Sequence, residues 1–350
     1  MQQVLAAYSF GSGAIAEPLA GGLINQTYLV CAAEPSGAVV PVAVLQRLHP
    51  VFGARVNEDI DSLTQHLVSL GAVTPTLIRT TDGRRWVDHD GGCWRALSYV
   101  AGQTIEQVAD PRQAESAGAL VGQFHRNVAG YEREFVHVRG NVHDTAAHMT
   151  RLRAHCDTAA DAGEFSADAR GLGASILASY AGAPELFTQI KRTIHGDLKI
   201  SNVLFEPEDV MTARCLIDLD TIGKQPLAYE MGDALRSWGN PAGESTETPA
   251  INVDIVRAAI RGYASTAAGL FEAQEYAAII PGLEVVCIEL AARFCADVFD
   301  DSYFGWDESR FSSRREHNLV RARGQLALAN SVAKVREELQ SICNEELMKR

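Results

Sequence analysis

The stretch IHGDLKISNVLF, Ile194 to Phe205, followed by CLIDLD, Cys215 to Asp220, sets three oxygen-bearing side chains in the order that a phosphoryl-transfer site requires. Moving a phosphoryl group onto a hydroxyl needs the acceptor held in line with phosphorus, and charge to neutralise the phosphate oxygens. Asp197 can orient a hydroxyl and accept its proton. Asn202 and Asp218 offer the hard oxygen ligands that Mg²⁺ takes alongside nucleotide phosphates and water. Lys199, two residues beyond Asp197, has the reach to meet the transferring phosphate. Singly, each piece has a plainer meaning: Asn202 could cap a turn, and Asp-Leu-Asp could simply end a strand. Together, the apolar runs Val203-Leu204-Phe205 and Cys215-Leu216-Ile217 make a strand, turn, strand with the two acids at adjacent ends.

The chain outward from this stretch divides in character. From Ile15 to about Tyr99 it reads as strands with one helix: Thr27 to Val30, the β-branched run Val39 to Leu45, and the segments Thr74 to Thr80 and Trp94 to Val100. Between them, Arg55 to Leu70 has Ile60, Leu63, Leu67 and Leu70 at helical spacing, and Gly71 stops it. After Gly102 long helical segments take over. Pro111 to Val128 carries Ala114, Ala117, Leu120, Val121 and Phe124 on one face, and Thr145 to Tyr180, Val253 to Leu270, Tyr276 to Phe299 and Leu319 to Leu339 continue the pattern. The expected fold class is α+β: a small antiparallel sheet lobe with one helix, residues 1–100, and a larger, mainly helical lobe, residues 101–350.

With 350 residues, 47% of them hydrophobic and 21% charged, the composition is that of a globular protein and does not indicate disorder. No basic leader opens the chain and no apolar run is long enough to cross a bilayer, so a cytoplasmic location and no membrane partner are expected. Seven cysteines, an odd number without a CxxC pair, point to buried thiols in a reducing compartment. A net charge of −13 argues against a nucleic-acid partner. It suits a cationic acceptor, or solubility alone. Nothing in the sequence addresses oligomeric state.

Histidine, aspartate and asparagine at H-x-D-x-x-x-x-N match the catalytic loop of protein kinases, and Asp218 matches their metal-binding aspartate. Through IHGDLKISN, LIDLD, GGLINQTYLV and GDALRSW the chain resembles the aminoglycoside phosphotransferase and choline kinase superfamily, small-molecule kinases of protein-kinase-like fold. The phrases VLQRLHPVF, CWR, RFCADVFDDSYF and HNLVRAR resemble most the N-acetylhexosamine 1-kinase branch. The resemblance runs from about residue 19 to the C-terminal region. It implies an enzyme that uses ATP as co-substrate and Mg²⁺ to phosphorylate a small hydroxylated molecule, best a sugar. Alternatives are an aminoglycoside or amino-alcohol kinase and, from another class, a pseudokinase-like nucleotide-binding module. A pocket rich in unpaired carboxylates would favour the first of these.

The resemblance also assigns the rest of the site. Gly21, Gly22, Asn25 and Thr27 belong to a phosphate lid, whose glycines let backbone N–H groups approach closely. A lysine is expected on the third strand, yet VAVLQRL offers only Gln46 and Arg47, which point to opposite faces. Arg47 is the better phosphate ligand by chemistry, while motif alignment favours Gln46. Glu58 and Asp61 on the next helix could orient an arginine. Backbone groups of Tyr99 and Ala101 would bind the adenine edge. Asp233 is expected to brace the catalytic loop by accepting its backbone N–H groups, with Arg236 paired to a nearby acid, and His195 to hold structure. Asp220 could be a second metal ligand, an outer base or a turn residue. Arg293, Asp301, Tyr303 and Arg321 are the expected acceptor-binding residues, with Asp300, Phe304, Asn318 and Arg323 nearby.

Overall fold

The computed structural model describes residues 1–11, 13–19, 25–34, 37–137, 143–158, 162–186 and 188–348. They divide into two compact units, Met1–Ala101 with Tyr131–Arg139, and Gly102–Gly130 with Gly140–Arg350. The return of the Tyr131 segment to the first unit is not signalled in the sequence. Asp59 fixes it, accepting the backbone N–H groups of Val136 (2.9 Å) and His137 (2.7 Å).

In the first unit, α1 (Gln2–Leu5) is followed by β1 (Ile15–Pro18), β2 (Gln26–Ala33), β3 (Val39–Arg47), α2 (Val56–Ser69), β4 (Leu77–Ile78), β5 (Val87–His89) and β6 (Gly92–Ser98). The sheet is antiparallel, in the order β1-β2-β3-β6-β4, with β5 also on β6. Alternate residues of β3 and β6, among them Ala43, Leu45, Trp94 and Ala96, build a core with Val4, Leu5, Tyr8 and Val30. Pro41 lies inside β3 without breaking the sheet. The β6 partner reaches only Ala43, and the register with β2 shifts beside Cys31, so the missing N–H falls outside the continuous ladder. The strand expected over Thr74 to Thr80 contracts to Leu77–Ile78, because Ser98 Oγ takes the Thr76 N–H at 2.8 Å and Thr80 turns back onto Arg84.

The second unit holds α3 (Pro111–Val128), α4 (Thr145–Asp157), α5 (Ser166–Ala181), β7 (Arg192–Ile194), β8 (Val203–Glu206), β9 (Asp209–Leu216), β10 (Gly223–Gln225), α6 (Leu227–Trp238), α7 (Val253–Ala267), α8 (Ala273–Ala277), α9 (Ile279–Asp300), α10 (Arg314–Lys334) and α11 (Arg336–Leu347). The capping box of Asp110 and Gln113, with Pro111 at the first helical position, starts α3 at the expected place. The alanine-rich run from Thr145 to Tyr180 is two helices, α4 and α5, rather than one. Buried on nearly every side, α9 is the axis of this unit, with α4, α5, α6 and α10 packed on it. Glycines let α3 and α7 cross at backbone contact: a Cβ on Gly262 would lie 1.8 Å from the Glu115 carbonyl oxygen. Two small antiparallel sheets complete the unit: β7 pairs with β10, and β8 forms a hairpin with β9. They carry the catalytic candidates.

Candidate active site

The loop after β7 owes its path to Gly196, whose φ is +85° and where a Cβ would stand 2.5 Å from the Thr221 carbonyl oxygen. That close approach brings His195-Gly196-Asp197 against the turn after β9. His195 is buried and acts as a latch: its Nδ1 accepts the Asp197 N–H (3.3 Å) and its Nε2 faces the Ile217 carbonyl (2.9 Å). Since Nδ1 accepts, the proton sits on Nε2, and the ring ties Asp197 to the residue preceding Asp218. Asn202 does the same from the other side. Its Nδ2 donates to the Asp197 carbonyl (2.9 Å), and its own carbonyl accepts the Ile217 N–H (3.0 Å). Asp218 follows in the left-handed region, φ 64° and ψ 61°, a conformation aspartate tolerates better than most side chains. Asp220 is buried in the ensuing 3₁₀ turn.

The Lys199 ammonium lies 3.2 Å from Asp197 Oδ2, with about a third of each side chain open to solvent. Burial pushes the Asp197 carboxyl up, but Lys199, helped by Arg236, outweighs it and holds the group below its ordinary value of 3.8. Asp197 in turn raises Lys199, against burial and with help from Asp218. Both are therefore charged at neutral pH.

Behind the loop, α6 supplies the support. The Ser237 hydroxyl accepts the Ile200 N–H at 2.9 Å, and the buried Trp238 ring donates to the Leu198 carbonyl at 2.8 Å. The brace expected from Asp233 comes instead from Glu230, one helical turn earlier. Its two oxygens accept the backbone N–H groups of His195 and Gly196, each at 2.9 Å, and Oε1 also meets His125 Nε2 at 3.2 Å. His125 reaches Tyr263 on its far side (2.9 Å), so the brace extends through α3 to α7. Burial raises the Glu230 carboxyl, and the His125 bond and neighbouring charges bring it below its usual value. Asp233 faces Arg236, taking Nε at 3.0 Å and Nη2 at 2.9 Å, while Arg236 Nη1 reaches Glu244 at 2.6 Å. Glu244, from the loop after α6, is the acid that the sequence reading lacked. Burial raises its carboxyl, and Arg236 first, with Arg321 and Lys199, brings it below its ordinary value, so Glu244 and Lys199 lie within each other's field.

The acceptor candidates separate into two groups. Arg293 lies over Phe304 (5.7 Å), Arg321 over Phe294 (5.3 Å), and Tyr303 meets Phe304 edge-on (4.8 Å), so three of the four gather on one aromatic pair. Asp301 does not join them. It caps α9 in the left-handed region and faces Arg314 (3.4 Å) and Arg315 (3.3 Å). Nearby, Asp300 holds Arg151 and His155, Arg323 holds Asp168 and Glu247, and Asn318 donates to Asp297. Asp297 also accepts the N–H groups of Ser302, Tyr303 and Phe304, and so shapes the loop carrying two of these aromatics.

Among the nucleotide candidates, Gly21 and Gly22 lie outside the described residues. Asn25 accepts the His49 N–H at 2.9 Å, and Thr27 lies 3.4 Å from the Gln46 amide. The Tyr99 N–H goes to the Val42 carbonyl (3.4 Å), and Ala101 is half-buried. Gln46 and Arg47 do point to opposite faces. Arg47 turns to Trp94 and the Asp90 carbonyl, lining an open pocket of about 700 Å³ with His49, Asp88 and His89, whose mixed charge has no bias toward phosphate. Gln46 faces the buried Arg95, which bonds it through Nε (2.9 Å) and Nη2 (2.7 Å) and reaches Asn57 of α2 through Nη1 (3.4 Å). Glu58 and Asp61 orient other arginines: Arg55 for the first, Arg79 and Arg85 for the second.

Among the described residues no three His, Cys, Asp or Glu side chains gather as a metal centre. The donor set at the catalytic loop is of another kind. With Asn202 Nδ2 committed to Asp197, the amide oxygen is the atom left for a ligand, and with the Asp218 carboxylate it forms an all-oxygen pair. Such a pair fits a hard cation that draws the rest of its shell from phosphate and water.

The family model described as the phosphotransferase enzyme family matches residues 15–268. This chain belongs to that family and by class is a small-molecule kinase, with a kinase-like small sheet unit and larger helical unit. Among solved structures, it is similar to an aminoglycoside phosphotransferase from Alicyclobacillus acidocaldarius, at 16% identity over 97% of this chain and 96% of that one, TM-score 0.59. It is likewise similar to a microcompartment-associated aminopropanol kinase, at 17% identity over 97% of both chains, TM-score 0.59. A third is the amicoumacin kinase hAmiN in complex with AMP-PNP, Ca²⁺ and Ami, at 11% identity over 93% of this chain and 91% of that one, TM-score 0.57. No helix among the described residues is long and apolar enough to cross a membrane.

Proposed function

We propose that this protein transfers the γ-phosphoryl group of ATP to a hydroxyl of a sugar, with an N-acetylhexosamine phosphorylated at its anomeric hydroxyl as the best candidate. The observation that carries the phosphotransfer reading is the fixed group of Asp197, Lys199, Asn202 and Asp218, held by His195, Glu230 and α6. The acceptor oxygen attacks the γ-phosphorus as the bond to the β,γ-bridging oxygen breaks; the hydroxyl proton passes to Asp197 and ADP leaves. Because Asp197 has a lowered pKa, it aligns the hydroxyl and takes its proton late rather than stripping it early. Lys199 stands where it can follow the phosphoryl oxygens from donor to acceptor. Mg²⁺, when bound, supplies charge neutralisation between phosphate oxygens, and the Asn202 amide oxygen and Asp218 carboxylate are the groups that would hold it. The nucleotide analogue and divalent ion in the amicoumacin kinase structure support this pairing.

The choice of a sugar over a polycation rests on charge matching. Asp233 and Glu244 share Arg236, Glu289 holds His143 at 3.0 Å, and Asp300 and Asp301 each hold two basic side chains. An aminoglycoside needs carboxylates left over for its ammonium groups; arginines and aromatic rings side by side suit a neutral, hydroxylated ring. ADP release should be measured across hexosamines, neutral sugars, amino alcohols and aminoglycosides, with Asp197→Asn as blank. Turnover confined to hexosamines, and lowered about 10²- to 10⁴-fold in the blank, is the expected result. Turnover with amino alcohols or aminoglycosides alone would refute the sugar assignment, and an active blank would refute the role of Asp197.

A further inference from the structure

Glu244 stands in a loop that the fold holds still. Between α6 and α7, Asn240 Nδ2 donates to the Gly243 carbonyl at 3.0 Å, and Gly243 returns its N–H to the Asn240 carbonyl at 3.1 Å. Ser245 Oγ meets His317 Nε2 of α10 at 2.9 Å, and a Cβ on Gly324 of the same helix would stand 2.1 Å from the Thr246 carbonyl oxygen. Glu244 Oε1 takes Arg236 Nη1 at 2.6 Å, and the next residue of α6, Ser237, holds the Ile200 N–H of the catalytic loop. One helix thus positions both Glu244 and the residue after Lys199. Asp197, Lys199 and Glu244 leave 30%, 37% and 40% of their side chains open to solvent, although burial opposes the charge of each. Charges that the protein crowds and solvent still reaches line a recess. Asp197 acts on the Lys199 ammonium by contact at 3.2 Å, and Glu244 through its field. Glu244 is also in the field of Arg321, the arginine over Phe294, which links the catalytic pair to the arginine and aromatic group. Arg236 takes up the charge of Glu244 at Oε1, while Oε2 has no partner among the described residues.

We infer that Glu244 reads the acceptor: its Oε2 accepts an O–H or N–H on the carbon next to the one whose hydroxyl Asp197 aligns. The inference rests on the kinase reading above and deepens it by defining a substrate class, acceptors with two hydrogen-bond donors on adjacent carbons. Asp197 and Glu244 are two accepting groups gathered around one ammonium, so the donors they take must also lie close together. Adjacent carbons of a ring or a short chain supply such a pair. In a sugar that reacts at its anomeric hydroxyl, the second donor is the C2 substituent, the N–H of an acetamido group among them. A carboxylate is the right group for this task, since it only accepts and refuses a substituent without a donor.

The test measures kcat/KM by ADP release for N-acetylglucosamine and its 2-O-acetyl analogue, in which an ester oxygen replaces the N–H and the acetyl group stays. Wild-type protein should prefer the amide by about ten- to a hundredfold, the worth of one hydrogen bond to a charged group. In Glu244→Gln, Oε1 must stay with Arg236, which only donates, so an NH₂ takes the place of Oε2. The preference should then collapse or invert. A Glu244 that served only to hold Arg236 would lower both sugars alike and leave their ratio unchanged. That result overturns the inference, as does a wild-type protein without the preference. Should Glu244→Gln not fold, Glu244→Asp, which draws the carboxylate back by one methylene, is read on the same ratio: a fall supports the role and an unchanged ratio defeats it. Wild-type protein that releases ADP only with amino alcohols would sink the sugar assignment. The same comparison, between an amino alcohol and the alcohol lacking its amine, then decides the role of Glu244. Release with no acceptor at all would strike at the kinase reading itself.

Discussion

Asp197 and Lys199 set each other's protonation, and this coupling has a measurable consequence at the level of single side chains. The lowered pKa of Asp197 keeps it ionised from neutrality down past its ordinary value of 3.8, so activity should show no acid limb above about pH 4. Removing the ammonium with Lys199→Met leaves burial, which raises the carboxyl, less opposed. The acid limb of the kcat/KM profile should then move upward in pH, and a limb that stays in place would show that Lys199 does not govern Asp197. The metal assignment separates two acids only two residues apart. Asp218→Ala should abolish Mg²⁺-dependent nucleotide binding measured by titration; a Mg²⁺ requirement left intact would shift the ligand role to the buried Asp220.

At the scale of elements, the helix α6 is the platform of the site. From one helix, Glu230 takes the loop N–H groups of His195 and Gly196, Ser237 takes that of Ile200, and Trp238 binds the Leu198 carbonyl. Glu230→Gln keeps the volume but turns an amide NH₂ toward one of three donors. It should cost about 1–3 kcal/mol of stability in denaturant melts. It should also lower kcat with the nucleotide KM preserved, since the loop is displaced and the sheet unit untouched. The same helix shows where sequence reading stops. Glu230 and Asp233 lie three residues apart, both acidic and both on α6. Which of them meets the catalytic loop depends on the rotation of α6 about its axis, and that is fixed by its packing on α9 rather than by local pattern.

For the whole molecule, the seven cysteines report on packing. Cys215, Cys287, Cys295 and Cys343 are buried, and burial pushes each thiol up to about 12. Only Cys31, Cys93 and Cys156 keep partial exposure. A thiol-reactive chromophore should therefore modify at most three cysteines in native protein and all seven in guanidinium chloride. Rapid native reaction at a fourth would mean that the helical core around α9 opens readily. The net charge of −13 is not spread evenly: beside the loop Arg236 pairs with Asp233 and Glu244, and Lys199 with Asp197, so the overall charge does not describe these positions.

What the sequence by itself determined was whatever lies close along the chain. The order of Asp197, Asn202 and Asp218, the apolar strands between them and the capped start of α3 all depend on neighbours within one or two elements, and hydrophobic period and turn chemistry encode these directly. Tertiary structure decided the partners across elements. Glu230 in place of Asp233, Arg95 opposite Gln46, Glu244 on Arg236, and Asp301 turned away to Arg314 and Arg315 each require a helix rotation, a strand register or a loop path. Those quantities are set by packing over long separations, where a carboxylate or guanidinium written in the sequence has many possible partners and only the folded chain selects one.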